Sequence, residues 1–338
     1  MLHRRLPRTT MVVAAAALAA SAGIGLTAGA SQAETRPAQA VYTLKTLPDQ
    51  GVNWFYNQVN AAKSSIDLVM YELQDSTADT DLGNAAKRGV NVRVILDQRE
   101  KSSNQTAYNY LTSHGVHVVW SWSKYYYTHE KSMVVDGSYV DIMTLNLQSQ
   151  YYSTTRDFAV VDRNASDVSA VTKTFNADYA HTAITPPVGK DLVWSPTNAQ
   201  AKLTGLINNA NRSLKVYSEE MDDPTVTSDL VNAAKRGVKV KVVGENESGE
   251  YDSEYTQLHN AGVQISYYSN PDGFYIHGKV IMAGYGTSAA KIYIGSENFS
   301  NTSLNENREL GLIIGNSAIE SSVNTSFAKD YRGGTKFS

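Results

Sequence analysis

Apolar and polar positions fall into blocks along this chain, and the blocks come twice. Ser65-Ile66-Asp67-Leu68-Val69-Met70-Tyr71-Glu72 is a short apolar run that closes on polar residues, the pattern of a buried strand. A helical stretch follows and ends at Asn84-Ala85-Ala86-Lys87-Arg88-Gly89-Val90, where Gly89 suits a helix C-cap. Val92-Arg93-Val94-Ile95-Leu96-Asp97 then reads as the next strand. The string 84–90 returns unchanged at 232–238, an offset of 148, and is again followed by a strand-like run, Val240-Lys241-Val242-Val243. Ser65 and Glu72 map onto Ser213 and Glu220 at the same offset. A βαβ-type unit has been duplicated, and alternation of strands with helices in both copies predicts α/β architecture.

The duplication gives weight to a motif that would mean little alone. Tyr127-Thr128-His129-Glu130-Lys131 leads into β-prone residues and reaches Asp136, an H-x-K-x-x-x-x-D pattern; His277-Gly278-Lys279 repeats its core 148 residues later. At the start of a strand, alternate side chains share a face. His129 and Lys131 are then expected to enter one pocket while Asp136, at odd spacing, points away. Past the motif the offset becomes 152, because the second copy inserts four residues around Gly284 to Ala290. Asn146 then matches Asn298, Asp157 matches Glu309, Phe175 matches Phe327, and Asp178-Tyr179 matches Asp330-Tyr331. The halves are placed at 41–182 and 191–338, joined by a linker at 183–190 that carries Pro186-Pro187 and Gly189.

Each half alone is an incomplete phosphodiesterase, lacking one of two proton-handling groups. Facing halves supply one nucleophilic imidazole and a second to protonate the leaving oxygen. Lys131, Lys279, Asn146 and Asn298 are expected to hold the non-bridging phosphate oxygens. Asp157 and Glu309 are each expected to accept a hydrogen bond from the far nitrogen of an imidazole and fix its tautomer. With two lysines supplying positive charge, neither a metal nor any other cofactor is required. His114, His117, His181 and His259 have no paired ligand spacing.

Composition adjusts the picture. Hydrophobic residues at 42% and charged residues at 19% mark a globular chain. Residues 1–33 read as a secretory signal: Arg4, Arg5 and Arg8, an uncharged stretch over 11–30, then Ser31-Gln32-Ala33 as a cleavage site. Its Ala/Gly richness favours cleavage near Ala33 over an uncleaved anchor, so the mature protein is expected outside the cell. Without those arginines the 30 basic residues become 27 against 33 acidic, a balance of −6, which disfavours indiscriminate binding to polyanions. The chain has no cysteine, which excludes disulfides and thiol chemistry. Among its 21 tyrosines, Tyr125-Tyr126-Tyr127, Tyr151-Tyr152 and Tyr267-Tyr268 flank the motifs and either line a substrate entrance or pack. Glu72 and Glu220, at equivalent strand ends, either border the cleft or lie on the solvated surface, and the surface is the preferred expectation.

Taken together, the paired motifs resemble those of the phospholipase D superfamily. The first copy has T-H-E-K-S-M-V-V-D-G, M-T-L-N-L at 143–147 and T-T-R-D-F-A-V-V at 154–161. The second has I-H-G-K-V-I-M-A-G, G-S-E-N-F-S at 295–300 and N-R-E-L-G-L-I at 307–313. The resemblance implies two tandem α/β domains with pseudo-twofold symmetry, one shared active site, and a covalent phosphohistidine later attacked by water or an alcohol. It makes His129 and His277 the catalytic pair, with His129 the nucleophile because its motif is complete. Two departures stand out: Gly284 replaces the second motif's Asp, and the first copy has Thr144 in place of a serine and Asp157 in place of a glutamate. The implied activity is hydrolysis of a glycerophospholipid at a membrane or micelle surface, giving phosphatidate and a free head group, with transfer to an alcohol as a variant. A nuclease, with nucleic acid as partner, is the alternative, followed by a cardiolipin-synthase-like transferase. No obligate protein partner is evident.

Overall fold

The computed structural model describes residues 40–269 and 273–338, and the expected signal segment 1–33 lies outside the described residues. The first half runs β1 (Tyr42–Leu47), α1 (Asn53–Ala61), β2 (Ser65–Met70), β3 (Leu73–Gln74), α2 (Ser76–Lys87), β4 (Asn91–Leu96), α3 (Lys101–Ser113), β5 (His117–Trp120), β6 (Ser132–Val135), β7 (Tyr139–Met143), β8 (Leu147–Gln148), β9 (Thr155–Asp162) and α4 (Ala165–Tyr179). The second runs β10 (Leu192–Ser195), α5 (Ala199–Asn208), β11 (Ser213–Ser218), α6 (Pro224–Lys235), β12 (Lys239–Glu245), α7 (Asp252–Asn260), β13 (Gln264–Tyr268), β14 (Tyr275–Ile276), β15 (Lys279–Ala283), β16 (Lys291–Gly295), α8 (Asn301–Asn305), β17 (Glu309–Ile314), α9 (Ser317–Gly333) and β18 (Thr335–Lys336). No helix or strand occupies 180–191.

The duplication is visible in strand order. One sheet is ordered β1-β9-β7-β6-β2-β4-β5 and the other β10-β17-β16-β15-β11-β12-β13, with β18 added at its edge. Equivalent strands thus occupy equivalent places. β2, β4 and β5 run parallel, as do β11, β12 and β13, while the motif strands β6 and β15 run antiparallel to their neighbours. Local chemistry repeats too. The Asp75 side chain caps α2 through the amides of Thr77 and Ala78, and Asp223 caps α6 through Thr225 and Val226. Both helices stop where Gly89 and Gly237 adopt φ of 90° and 87°.

Strands buried on both faces need cover on both. Ile66, Leu68, Val92 and Val94 pack against α1, α2 and α3, and Leu214, Val216, Val240 and Val242 against α5, α6 and α7. Between the sheets lies a third core. There Val140, Ile142, Phe158 and Val160 meet Ile292, Ile294, Leu310 and Leu312, with Val168 and Val171 of α4 and Val323 and Phe327 of α9.

The halves also exchange backbone and charge. β14 of the second half pairs in parallel with β9 of the first, and Thr128 forms the reciprocal bridge to Arg308. Arg156 and Arg308, both fully buried, reach across to the opposite half's last helix: Arg156 Nε lies 2.6 Å from Asp330 and Arg308 Nε 2.8 Å from Asp178. An arginine buried without such a partner would cost several kcal/mol, so these pairs fix how the halves register.

Candidate active site

Each H-x-K motif begins just ahead of its strand, not within it. Its backbone is held from two sides. Arg308 accepts from the amides of both His129 and Glu130, at 2.9 Å each, and Arg308 N–H donates to Tyr127 at 2.8 Å. In the other copy Tyr275 N–H donates to Thr154 at 2.8 Å. From within the same half, Asp97 at the end of β4 accepts the Thr128 amide at 2.6 Å, and Glu245 at the end of β12 takes the Ile276 amide. Strand ends of both sheets therefore place each histidine.

The side chains then cross over. His129 Nδ1 lies 2.8 Å from Glu309 Oε2, and His277 Nδ1 lies 2.8 Å from Asp157 Oδ1. Each imidazole is thus oriented by the other half's carboxylate, so neither half holds a complete site. Glu309 also accepts from Ser303 Oγ at 2.5 Å and Asn307 Nδ2 at 2.9 Å; Asp157 accepts from Thr144 Oγ1 at 2.6 Å. Thr144, a departure from the family pattern, keeps the hydroxyl that the carboxylate needs. Burial raises both carboxyls, but the facing histidine and lysine outweigh it and hold each below the usual carboxylate range. A carboxylate accepting at Nδ1 puts the proton there and leaves Nε2 to the cleft.

Lys131 and Lys279 are fully buried behind the histidines, and each Nζ donates to the histidine carbonyl two residues earlier, at 2.7 and 2.6 Å. Burial, aided by the charge on Lys279, lowers Lys131 to about 7. Burial also lowers His129 to about 4, with Lys131 working in the same direction against Glu309. Its neutral ring is the form a nucleophile needs. Asn146 and Asn298 line the same cleft, and their buried Oδ1 atoms have no protein partner.

Asp136 is elsewhere. Its carboxylate accepts from the backbone amides of Lys63, Ser64 and Ser65 at 2.7–3.1 Å, at the far end of β6 from His129. Gly284 takes the equivalent place, and Asp136 and Gly284 amides make the same 2.9 Å bond, to Ser65 and Ser213. The motif aspartate is a bend-capping group, as its spacing from the His/Lys face predicts.

The cleft has a volume of about 810 Å³ and is lined by both histidines and both asparagines. Glu72 and Glu220 also line it, which corrects the expectation of a solvated surface. The strands β2 and β11 aim their C-terminal ends into the cleft, so the residues that follow cannot face away from it. Burial, then the neighbouring Glu219, raises Glu220 to about 7. Tyr151 and Tyr152 line the cleft, whereas Tyr125 packs on Arg308 and Tyr268 is buried in the core between the sheets.

Two residues that the motif reading passed over distinguish the copies. Tyr71, after β2, packs edge-on to His129 at 4.6 Å and lies 4.8 Å from Lys131 Nζ. Glu219, 148 positions later, forms an ion pair with Lys279, lies 3.6 Å from His277 Nε2 and accepts from Tyr275 OH at 2.8 Å. Burial raises Glu219, but the charges of His277 and Lys279 hold it far below the carboxylate range. Alignment of the two repeats puts Tyr71 against Glu219 and was the available signal. Among the described residues, no group of three or more His, Asp or Glu side chains has the arrangement of a metal site.

A family model, that of the cardiolipin synthase, phospholipase D-like domain, matches residues 55–179 and again 203–331. The chain belongs to the phospholipase D superfamily. Its two matched segments begin 148 residues apart and end 152 apart, the same offsets as the internal repeat. Superfamily members act on phosphodiester bonds. No curated protein matches the sequence. Among solved structures, the phosphatidylserine synthase of Haemophilus influenzae Rd KW20 aligns with TM-score 0.64 at 11% identity over 84% of each chain. The polyphosphate kinase of Porphyromonas gingivalis aligns with TM-score 0.68 at 14% identity over 86% of this chain, which spans only 50% of the kinase. Nuc of Salmonella typhimurium, a phospholipase D family member, aligns over 43% of this chain and 98% of its own, with 19% identity and TM-score 0.39. At 14% and 11% identity the likeness to the kinase and the synthase is one of fold.

Proposed function

We propose that this superfamily member is a phospholipase D-type hydrolase that cleaves glycerophospholipids to phosphatidate and a free head group through a phosphohistidine. The crosswise pairing of two imidazoles with two carboxylates, on one cleft backed by two lysines, carries the chemistry. Neutral His129 attacks phosphorus through Nε2, the bond to the head-group oxygen breaks, and His277 delivers its Nε2 proton to that oxygen. His277 then takes a proton from water as the water oxygen attacks phosphorus, the P–N bond breaks, and His129 is restored. Lys131, Lys279, Asn146 and Asn298 hold the non-bridging oxygens, and incoming phosphate displaces Glu219 from Lys279.

The walls of the cleft favour lipid over nucleic acid. They carry Glu72, Glu219, Glu220 and Glu247 together with Tyr71, Tyr151, Tyr152, Phe274 and Tyr275, and no arginine or exposed lysine among the described lining residues. A polyanion needs basic side chains to replace its counterions, and these walls would repel it. A cationic head group finds carboxylates and aromatic faces instead.

A parallel assay tests the reading: chelator-treated protein lacking residues 1–33, given phosphatidylcholine vesicles or plasmid DNA. Choline release without DNA nicking is expected, and added short-chain alcohol should divert phosphatidate to phosphatidyl-alcohol. Rapid DNA cleavage with no lipid turnover would overturn the proposal in favour of a nuclease.

A further inference from the structure

The second half carries a basic cavity of about 370 Å³, far from the catalytic cleft, lined by Arg212, Ser213, Lys215, Lys239 and Lys241. These residues sit at the starts of β11 and β12, where Ser213 pairs with Lys239 and Lys215 with Lys241. Glu219 follows the opposite end of β11, about 20 Å along the strand. The two sites therefore lie at opposite ends of the same strands.

The first half serves as an internal control, because its equivalent positions are neutralised twice over. Asp67 and Arg93 stand where Lys215 and Lys241 stand, and they form two hydrogen bonds of 2.7 and 2.8 Å. The amides of Lys63, Ser64 and Ser65 converge on the Asp136 carboxylate, which also accepts from Ser64 Oγ at 2.9 Å. In the second half Asn211, Arg212 and Ser213 form the same bend, but Gly284 replaces the aspartate. Among the described residues, no carboxylate forms an ion pair with Arg212, Lys215, Lys239 or Lys241. The neighbours of the two strand lysines are instead the rings of Tyr285 and Tyr331, at 4.8 and 4.5 Å, and the amide oxygen of Asn324. Burial, and then the like charge on Lys241, holds Lys215 below the ordinary lysine range.

Four cations around one cavity, beside a bend from which the capping carboxylate has been removed, are arranged for an anion. We propose that this cavity binds a phosphate-type anion, a phosphomonoester or inorganic phosphate, in the place that Asp136 fills for the first half. The site is separate from the catalytic cleft and does not depend on which substrate that cleft accepts.

Calorimetric titration of the whole protein with inorganic phosphate tests this. Wild type should bind two equivalents, one in the catalytic cleft and one here. Gly284→Asp restores the capping carboxylate at a backbone position of φ +70°, which aspartate tolerates, as Asp136 does at +53°. Lys215→Asp with Lys241→Arg installs the pair already carried by the first half. Each should lose the second equivalent, with affinity there falling about tenfold or more, while Lys131→Ala/Lys279→Ala should lose only the first. Arg212→Gln/Lys239→Gln, confined to exposed side chains, should weaken the second site several-fold without risk to folding. Flotation on phosphatidylcholine vesicles with and without phosphatidate then identifies the source. Phosphatidate-dependent capture lost in Gly284→Asp assigns a lipid head group, and phosphate binding without capture assigns a soluble ligand. Phosphate binding that is lost entirely in Lys131→Ala/Lys279→Ala, or binding outside the catalytic cleft that survives both Gly284→Asp and the double exchange, would overturn the proposal.

Discussion

The two halves present nearly the same chemistry to the cleft and differ beside the imidazole. Next to His129 the strand end supplies Tyr71, an uncharged ring; next to His277 it supplies Glu219, a carboxylate 3.6 Å from Nε2. His129 therefore faces one carboxylate, at Nδ1, and stays neutral with Nε2 available. His277 faces carboxylates at both nitrogens, so a proton on Nε2 is directed towards Glu219 and the cleft. Duplication alone gives two equivalent imidazoles, whereas hydrolysis through a covalent intermediate needs a nucleophile and an acid. On the proposed mechanism, the tyrosine-to-glutamate difference between the repeats is what divides those roles.

The sharpest way to break this comparison is to delete each imidazole in turn. His129→Ala and His277→Ala should each cost more than the ~10²–10⁴-fold typical of a simple acid–base group. They should differ with a substrate whose leaving group needs no proton. His277→Ala should still form the phosphoenzyme and accumulate it, and intact-mass and peptide mapping should find the adduct on His129. An adduct on His277 in wild type would reverse the roles.

Glu219→Gln probes the asymmetry itself. It should lower turnover of a choline ester about ten- to a hundredfold while leaving an aryl phosphodiester within a few-fold, because only the first requires a proton from His277. Equal losses on both substrates would mean that Glu219 serves the lysine and not the histidine.

The pH dependence of kcat/KM gives a smaller but independent reading, since it reports groups in the free protein. His129, lowered to about 4 by burial, is neutral above that value, so activity should rise as pH climbs through it. Lys131, lowered to about 7 by burial, loses its charge above that value, so activity should fall there. Bound phosphate favours the charged lysine, and the alkaline limb of kcat should lie higher than that of kcat/KM. Tyr71→Glu should move the acid limb upward by placing a second carboxylate beside His129. An unmoved limb in that variant would separate Tyr71 from the titration.

Much of this site was legible in the sequence because duplication repeats whatever chemistry requires. His129, Lys131, Asn146 and Asp157 each have a counterpart at a fixed offset, and strand parity alone directed Asp136 away from the pocket. The crossing of carboxylates between halves was not legible. Chain order says that Asp157 and Glu309 exist, but only the exchange of β14 and the Thr128 bridge bring each to the opposite histidine. Arg156 and Arg308 were likewise hidden, since a buried ion pair depends on partners 174 and 130 residues away. Glu72 and Glu220 were misread because a polar strand end looks the same whether it meets solvent or a cleft.

The smallest effect concerns the bend at Asp136, where the halves differ without touching the cleft. Asp136→Gly reproduces in the first half what Gly284 is in the second, and it relieves a backbone held at φ +53°. Against that relief stand three backbone amides and a serine hydroxyl that lose a charged acceptor, so the net loss should be about 1–2 kcal/mol at neutral pH. The amides of Ser64, Ser65 and Lys63 hold the Asp136 carboxyl below its ordinary range, though burial opposes them. Its contribution is therefore present above the unfolded-state value of about 4 and disappears as pH falls through the lower folded value. Urea midpoints should separate wild type from Asp136→Gly at pH 7 and converge as pH falls through the lowered folded-state value of Asp136, while kcat/KM stays within about twofold at pH 7. A stability difference that persists unchanged into acid would show that the side chain acts by shape and not by charge. A large loss of activity would mean instead that the bend reaches the catalytic cleft through β6, and Gly284 could then no longer be taken as its harmless counterpart.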